Sequence, residues 1–237
     1  MGPRQGELTG CRHRRARAAH YAAAMAHISA VCVLHALLPD PPDSDGRTAI
    51  DKRPVRGPVA VGPLGLEGDR QVDTEHHGGV DQAVYLYSDE DADWWAGELG
   101  RDIPPGLFGE NLRTSGIDLS AARIGQQLRV GDALVLEVTA PRTPCSTFAR
   151  RMGEPHWVKR FTQRRAPGAY ARVVEPGAVE VGDEVVVLTE PAHDVSGASV
   201  MPPVESGAFA RLLDAERAGA VALSDRLRTA ALKSLGA

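Results

Sequence analysis

The chain has 237 residues, a formal net charge of −4, 43% hydrophobic residues and only 5% aromatic ones. That length fits one large domain, or a main domain with a small appendage. The acidic balance argues against nucleic acid as a partner, because phosphate contacts need a basic surface.

Residues 1–24 carry five arginines and a single acid, Glu7. The segment lacks the apolar stretch of a signal sequence, so it reads as a disordered extension or a start site placed too early, with Met25 as the alternative start. The longest apolar run, "ISAVCVLHALL" (28–38), falls short of the ~20 residues that span a bilayer, and the chain is expected to be cytoplasmic, with no membrane partner. Cys11, Cys32 and Cys145 are widely spaced and form no C-x-x-C pair, a pattern suited to a reducing compartment.

Past Met25 the pattern is one of short strands. "GRTAIDKRPV", "GPVAVG" and "QAVYLYS" follow one another at short intervals. "ALVLEVTA" (133–140) alternates Leu134, Leu136 and Val138 on one face, and "EVVVLTE" (184–190) repeats the device. Both are launched by Gly-Asp turns. A mainly β fold, a closed or partly closed β-barrel, is predicted over 25–190, with short helical insertions. Ser88 and Asp91 make a capping-box-like start to a helix that Gly100 stops. "EPHWVKRFTQRRAPG" starts a second helix with Pro155 near its first turn and Trp157 and Phe161 on one face. "STFARRMG", after Cys145, reads as the first turns of another. Residues 191–237 carry no strand signal and read as a small helical domain of two or three helices, with Leu223, Leu227, Ala230, Ala231 and Leu235 as its packing stripe.

Two stretches could carry chemistry. In "APRTPC" (140–145) a lone thiol stands before a helix and beside Arg142. A helix N-terminus and a neighbouring cation both favour the thiolate, which attacks electrophiles and binds metals; a buried cysteine serving as a small hydrophobe is the alternative. "GLEGDRQVDTEHHGGVDQAV" (65–84) gathers Asp69, Asp73, Glu75, His76, His77 and Asp81. Neighbouring histidines in an extended chain face opposite ways, and no H-x-H or H-E-x-x-H spacing occurs, so one histidine facing a pocket is preferred to a metal cluster. A solvated acidic loop is the plainer reading. "GPLGLEG" has the wrong glycine spacing for a dinucleotide fold, and no Walker motif occurs. Lys52, Arg53, Arg142, Lys159, Arg160 and Arg172 would bind an anionic, phosphate-bearing ligand if they converged on one mouth. Asn111 in "GLFGENL" adds an amide that donates and accepts.

Together "GRTAIDKRPV", "GLEGDRQVDTEHHGGVDQAV", "PPGLFGENL", "RIGQQLRVGDALVLEVTAPRTPC" and "YARVVEPGAVEVGDEVVV", in this order over about residues 28–190, resemble the MOSC domain of molybdenum-cofactor sulfurases, in the arrangement of the bacterial YiiM type. Much of that family carries an aromatic and then a lysine after the cysteine, where this chain has Ser146 and Thr147. The resemblance implies a barrel like the small domain of pyruvate kinase, a small three-helix domain behind it, and molybdenum cofactor bound through one cysteine. It implies Cys145 as the molybdenum ligand, Lys52, Arg142 and Arg172 at the phosphate end of the pterin, and His77 and Asn111 on the substrate side. The implied activity is reduction of N-hydroxylated substrates such as hydroxylaminopurines or amidoximes. An external reductase or ferredoxin would supply electrons to a monomer or homodimer. Two other functions fit the same thiol and cations: a carrier holding a persulfide on Cys145 without turnover, and a binder of a phosphate ligand such as pyridoxal phosphate, although no lysine stands out for a Schiff base.

Overall fold

A computed structural model describes residues 25–40, 46–72 and 78–236. The N-terminal extension (1–24) and the histidine pair of the second candidate stretch therefore lie outside the described residues.

The first strand, β1 (His27–Pro39), is long enough to serve two partners. Its second half pairs antiparallel with β2 (Arg47–Pro54). A small sheet follows, made of β3 (Val59–Gly62), β4 (Gly65–Leu66) and, much later, β10 (Gly177–Val179). Next come β5 (Val84–Ser88), α1 (Asp89–Leu99) and β6 (Leu112–Ser115). The helical crossover makes β5–β6 the parallel pair in an otherwise antiparallel sheet. β7 (Gln127–Val130) and β8 (Leu134–Ala140) form the hairpin expected at the first Gly-Asp turn, where Gly131 takes φ 59°. Then come α2 (Ser146–Met152), α3 (Trp157–Arg164), β9 (Ala169–Glu175) and β11 (Val185–Thr189). The chain closes with α4 (Ala208–Arg217) and α5 (Asp225–Leu235).

The large sheet runs β11-β7-β8-β9-β5-β6-β1-β2. Mainly β architecture is therefore present, but the ladder does not close into a barrel. Its curl brings the start of β1 against the chain before β11, where a lone bridge joins His27 to Glu184. Ile28 N–H donates to Asp183 O at 2.8 Å and Gly182 N–H to Ile28 O at 2.8 Å. The second half of β1 is given to β2, which leaves the start of the strand to meet the chain before β11.

Local signals fix the helix ends. The Ser88 hydroxyl accepts from Asp91 N–H at 3.2 Å, and Gly100 closes α1 at φ 64°. Pro155 stands before α3 and outside its first turn, since His156 (φ 56°) is the residue that opens the helix. Two cores result. One is aliphatic and lies inside the curled sheet, built from residues such as Ile28, Leu86, Leu112, Leu128, Leu136 and Val138. Phe209, Leu212, Leu223, Leu227 and Ala231 from the C-terminal helices join this same cluster. Of the expected stripe, Leu235 and Ala230 stay exposed. The second core is aromatic: Tyr85, Tyr87, Trp95, Phe108, Phe148, Trp157, Phe161 and Tyr170 pack between the sheet and α1–α3.

Candidate functional site

Beside the aromatic core opens a cavity of about 400 Å³. It brings together Lys52, Asn111, Arg142 and Cys145, which stand up to 93 positions apart in the chain. Arg47, Asp40, Asp69, Arg70, Tyr85, Tyr170 and Arg226 share the lining. Among the described residues, the lining thus carries five cationic side chains and two carboxylates.

Cys145 is placed by what stands on either side of it. β8 ends at Ala140, and the next residues run past the buried Pro144 to Cys145, whose extended backbone (φ −124°, ψ 177°) caps α2. Phe148 and Met152 anchor that helix in the aromatic core, and Gly153 ends it at φ 66°. The thiol is partly exposed at the cavity wall, whereas Cys32, on β1, is wholly buried; neither forms a disulfide. Burial, with the Glu110 carboxylate as the next contribution, pushes the Cys32 thiol up to about 12, which keeps it protonated and unreactive.

Arg142 is only 8% exposed and has no carboxylate partner among the described residues. Its guanidinium donates to the Tyr170 hydroxyl at 2.5 Å and lies 4.9 Å from the Phe148 ring centroid and 5.3 Å from that of Tyr85. Its Nε is buried with no hydrogen-bond partner. Burial alone would pull its pKa down, but the Tyr170 and Tyr85 phenols and the Cys145 thiol more than offset that, and the pKa is raised. The cation is therefore held by ring faces and a phenol, and its charge is not cancelled by an anion.

Asp69 organises the opposite wall. It pairs with Lys52 Nζ, accepts from Asn111 Nδ2 at 2.7 Å, and accepts from Leu34 N–H at 3.0 Å. Burial lowers the Lys52 pKa, and Asp69 works against that fall. Lys52 is one of three lysines in the chain and the one that lines the cavity; its ammonium is held in an ion pair and is not presented as a free amine. Asn111 is likewise occupied: its Oδ1 accepts from Tyr85 N–H at 3.1 Å and its Nδ2 reaches Cys32 O at 3.4 Å. It faces the cavity as a brace between β1, β5 and Asp69.

Arg172 lines no part of the cavity. It pairs with Asp81 at 3.1 Å, approaches Glu137 at 3.7 Å and donates to Ala222 O at 2.8 Å, so its charge serves packing. Arg53 leans on Asp51, and Arg160 on Glu98 and Glu154. His77 lies outside the described residues. Among the described residues no group of three or more His, Cys, Asp or Glu side chains could hold a metal ion. Nor is any helix among them long and apolar enough to cross a membrane.

Several site residues escaped the sequence reading. Glu110, fully buried, accepts from Gly106 N–H at 2.8 Å, Phe108 N–H at 3.0 Å and Arg113 Nε at 2.9 Å, and so folds the 104–110 loop that carries Asn111. Gly106 (φ 85°) seats that loop on β2, where a Cβ would meet the Lys52 carbonyl. A glutamate inside "GLFGENL" was the available signal. Asp40 ties Thr147 Oγ1 (2.6 Å) and Arg150 Nε (2.8 Å) of α2 to the end of β1, a link of more than a hundred positions that no local pattern announces.

The chain belongs to the MOSC domain family: that family's pattern matches residues 73–186, and relatives at 33–35% identity match over two thirds of their length. The chain is 35% identical over 149 residues to the uncharacterised protein YflK of Bacillus subtilis (strain 168), covering 63% of this chain and 67% of that one. It is 33% identical over 152 residues to a reductase of Gibberella moniliformis (strain M3125 / FGSC 7600), but spans only 26% of that longer protein. The crystal structure of YiiM from Geobacillus stearothermophilus superimposes with a TM-score of 0.68 at 27% identity, covering 88% of this chain and 98% of that one.

Proposed function

We propose that the chain is a reductase that holds molybdenum cofactor in this cavity, bound to the metal through Cys145, and removes oxygen from N-hydroxylated substrates. The observation that carries the reading is that Cys145 and Arg142 line one cavity: a single soft ligand and a buried guanidinium that has no carboxylate partner among the described residues.

The residues present fit the group. One thiolate suits a thiophilic metal whose other ligands come from its own pterin dithiolene. The orphaned Nε of Arg142 is a donor suited to an anionic group, where a charge-assisted bond would satisfy it. When bound, the cofactor would supply a two-electron redox centre. The overall change is R–NHOH + 2e⁻ + 2H⁺ → R–NH₂ + H₂O: the N–O bond breaks, nitrogen is reduced and the oxygen leaves as water. Electrons come from a separate reductase or ferredoxin. The chain's own contributions are to bind, orient and hold protons. Cys145 fixes the centre, the Tyr85–Phe148–Tyr170 rings exclude water from one side, and Lys52 Nζ, ion-paired with Asp69, is a proton donor at the cavity wall. Asn111 acts at one remove, by bracing Asp69.

The test is reduction of benzamidoxime with dithionite-reduced methyl viologen, using protein made in a host that synthesises the cofactor. Benzamidine formation is expected from the wild-type chain and not from Cys145→Ser. Wild-type protein that carries molybdenum but reduces neither benzamidoxime nor 6-hydroxylaminopurine would overturn the reading.

A further inference from the structure

Arg226, on the last helix, stands more than eighty positions beyond Cys145, yet it lines the same cavity. It stands in the first turn of α5, and that helix is firmly seated. Leu223, Leu227 and Ala231 are buried in the aliphatic core, and the Ser224 hydroxyl caps the helix by accepting from Leu227 N–H at 3.3 Å. Arg228 clasps Glu216 of α4 through its Nε at 3.0 Å and 3.1 Å. From the other side Arg172 of β9 donates to Ala222 O while pairing with Asp81, which fastens the α4–α5 connection to the sheet. This scaffolding holds the first turn of α5 at the cavity.

The five cations of the lining are not equivalent. Lys52 stands on β2, and Arg142 follows β8. Arg226, among the described residues, is the lining cation supplied by a C-terminal helix. We infer that Arg226 is a specificity-determining residue: the C-terminal helical region forms a wall of the binding site, and this side chain pairs with an oxyanion, phosphate or carboxylate, on the molecule that occupies the cavity. This extends the reading of the cavity as a cofactor and substrate site and rests on it only for which molecule carries the oxyanion. The same chemistry could belong to the cofactor's phosphate or to an acidic substrate.

Calorimetric titration of the cofactor-free chain with inorganic pyrophosphate tests the inference without any turnover. Arg226→Gln should weaken binding by about tenfold, the usual loss for one charge-assisted contact, and Arg226→Glu by more. Arg217→Glu, the same charge change at an exposed α4 position outside the lining, should leave binding unaltered. Equal affinity in wild type and Arg226→Glu, or an equal loss in Arg217→Glu, would overturn the assignment. The loaded protein then separates the sources. If the oxyanion is the cofactor's, Arg226→Glu loses molybdenum. If it is the substrate's, molybdenum stays, KM rises for 4-carboxybenzamidoxime, and KM for neutral benzamidoxime does not change. No molybdenum in the wild type would count against the reductase reading alone, since the pyrophosphate comparison does not depend on it.

Discussion

The two cores of this protein are built from different residues and do different work. The aliphatic core inside the sheet draws on β1, β5–β9, β11 and both C-terminal helices, and is Ile, Leu, Val and Ala with a single aromatic, Phe209. The other core collects Phe108, Phe148, Phe161, Trp95, Trp157, Tyr85, Tyr87 and Tyr170 into one cluster, in a chain that is only 5% aromatic. Aliphatic side chains fill the concave face of a sheet without directional demands. Ring faces carry a negative quadrupole, and here three of them surround Arg142. One core sets the shape; the other surrounds a buried cation that has no carboxylate partner among the described residues.

The sharpest way to break that contrast is to damage each core equally. Leu136→Ala and Phe148→Ala should each lower stability by about 3–5 kcal/mol in denaturant unfolding, since both side chains are fully buried. Only Phe148→Ala, which also removes a ring beside Arg142 and the anchor of α2, should abolish pyrophosphate binding at conditions where both variants stay folded. Loss of binding in both would mean that the two cores are not functionally distinct.

Asp69→Asn should cost about 3 kcal/mol at pH 7, because it leaves the Lys52 ammonium buried without its partner. The sign of the pH dependence follows from Lys52, whose pKa is already lowered by burial from its ordinary 10.5 and is held up by Asp69. Without the carboxylate it falls further. The folded state then sheds the proton more readily than the unfolded chain, so the variant's deficit should shrink as pH rises from 7 toward 10. Unfolding curves at several pH values check this; a deficit that grows with pH would contradict it.

Arg142→Met is the smallest perturbation to the fold. Replacing a buried cation by an apolar side chain of similar length is often neutral or stabilising, so the melting temperature should hold or rise. Pyrophosphate affinity should drop by about tenfold or more. A destabilised variant with normal affinity would show that Arg142 is a structural residue.

The parts of this fold that the sequence announced are those that depend on neighbours within about ten positions. Leu134, Leu136 and Val138 alternate where β8 runs, Gly131 turns the β7–β8 hairpin, and Ser88 and Gly100 bound α1. The thiol and guanidinium of the 140–145 segment were legible for the same reason. What stayed hidden depends on the partner chosen across the chain. β2 takes the second half of β1, on the edge opposite β6, and leaves the start of β1 to meet the chain before β11. Asp69 captures Lys52 and Asn111, turning two expected ligand-facing groups into a brace. Arg172 looked equivalent to Arg142 as a cation, but Asp81 and Ala222 claim it. Arg226 gave no signal, because its helix reads locally as a packing element.

The most direct measurement is molybdenum content, by mass spectrometry, of wild-type and Cys145→Ser protein purified in parallel from a cofactor-producing host. Serine keeps the shape but offers a hydroxyl that stays protonated near neutral pH, in place of a soft thiolate. The account predicts about one molybdenum per wild-type chain, as a single thiolate implies, and almost none in the variant at an unchanged melting temperature. Equal molybdenum in both proteins, or none in the wild type, would contradict it.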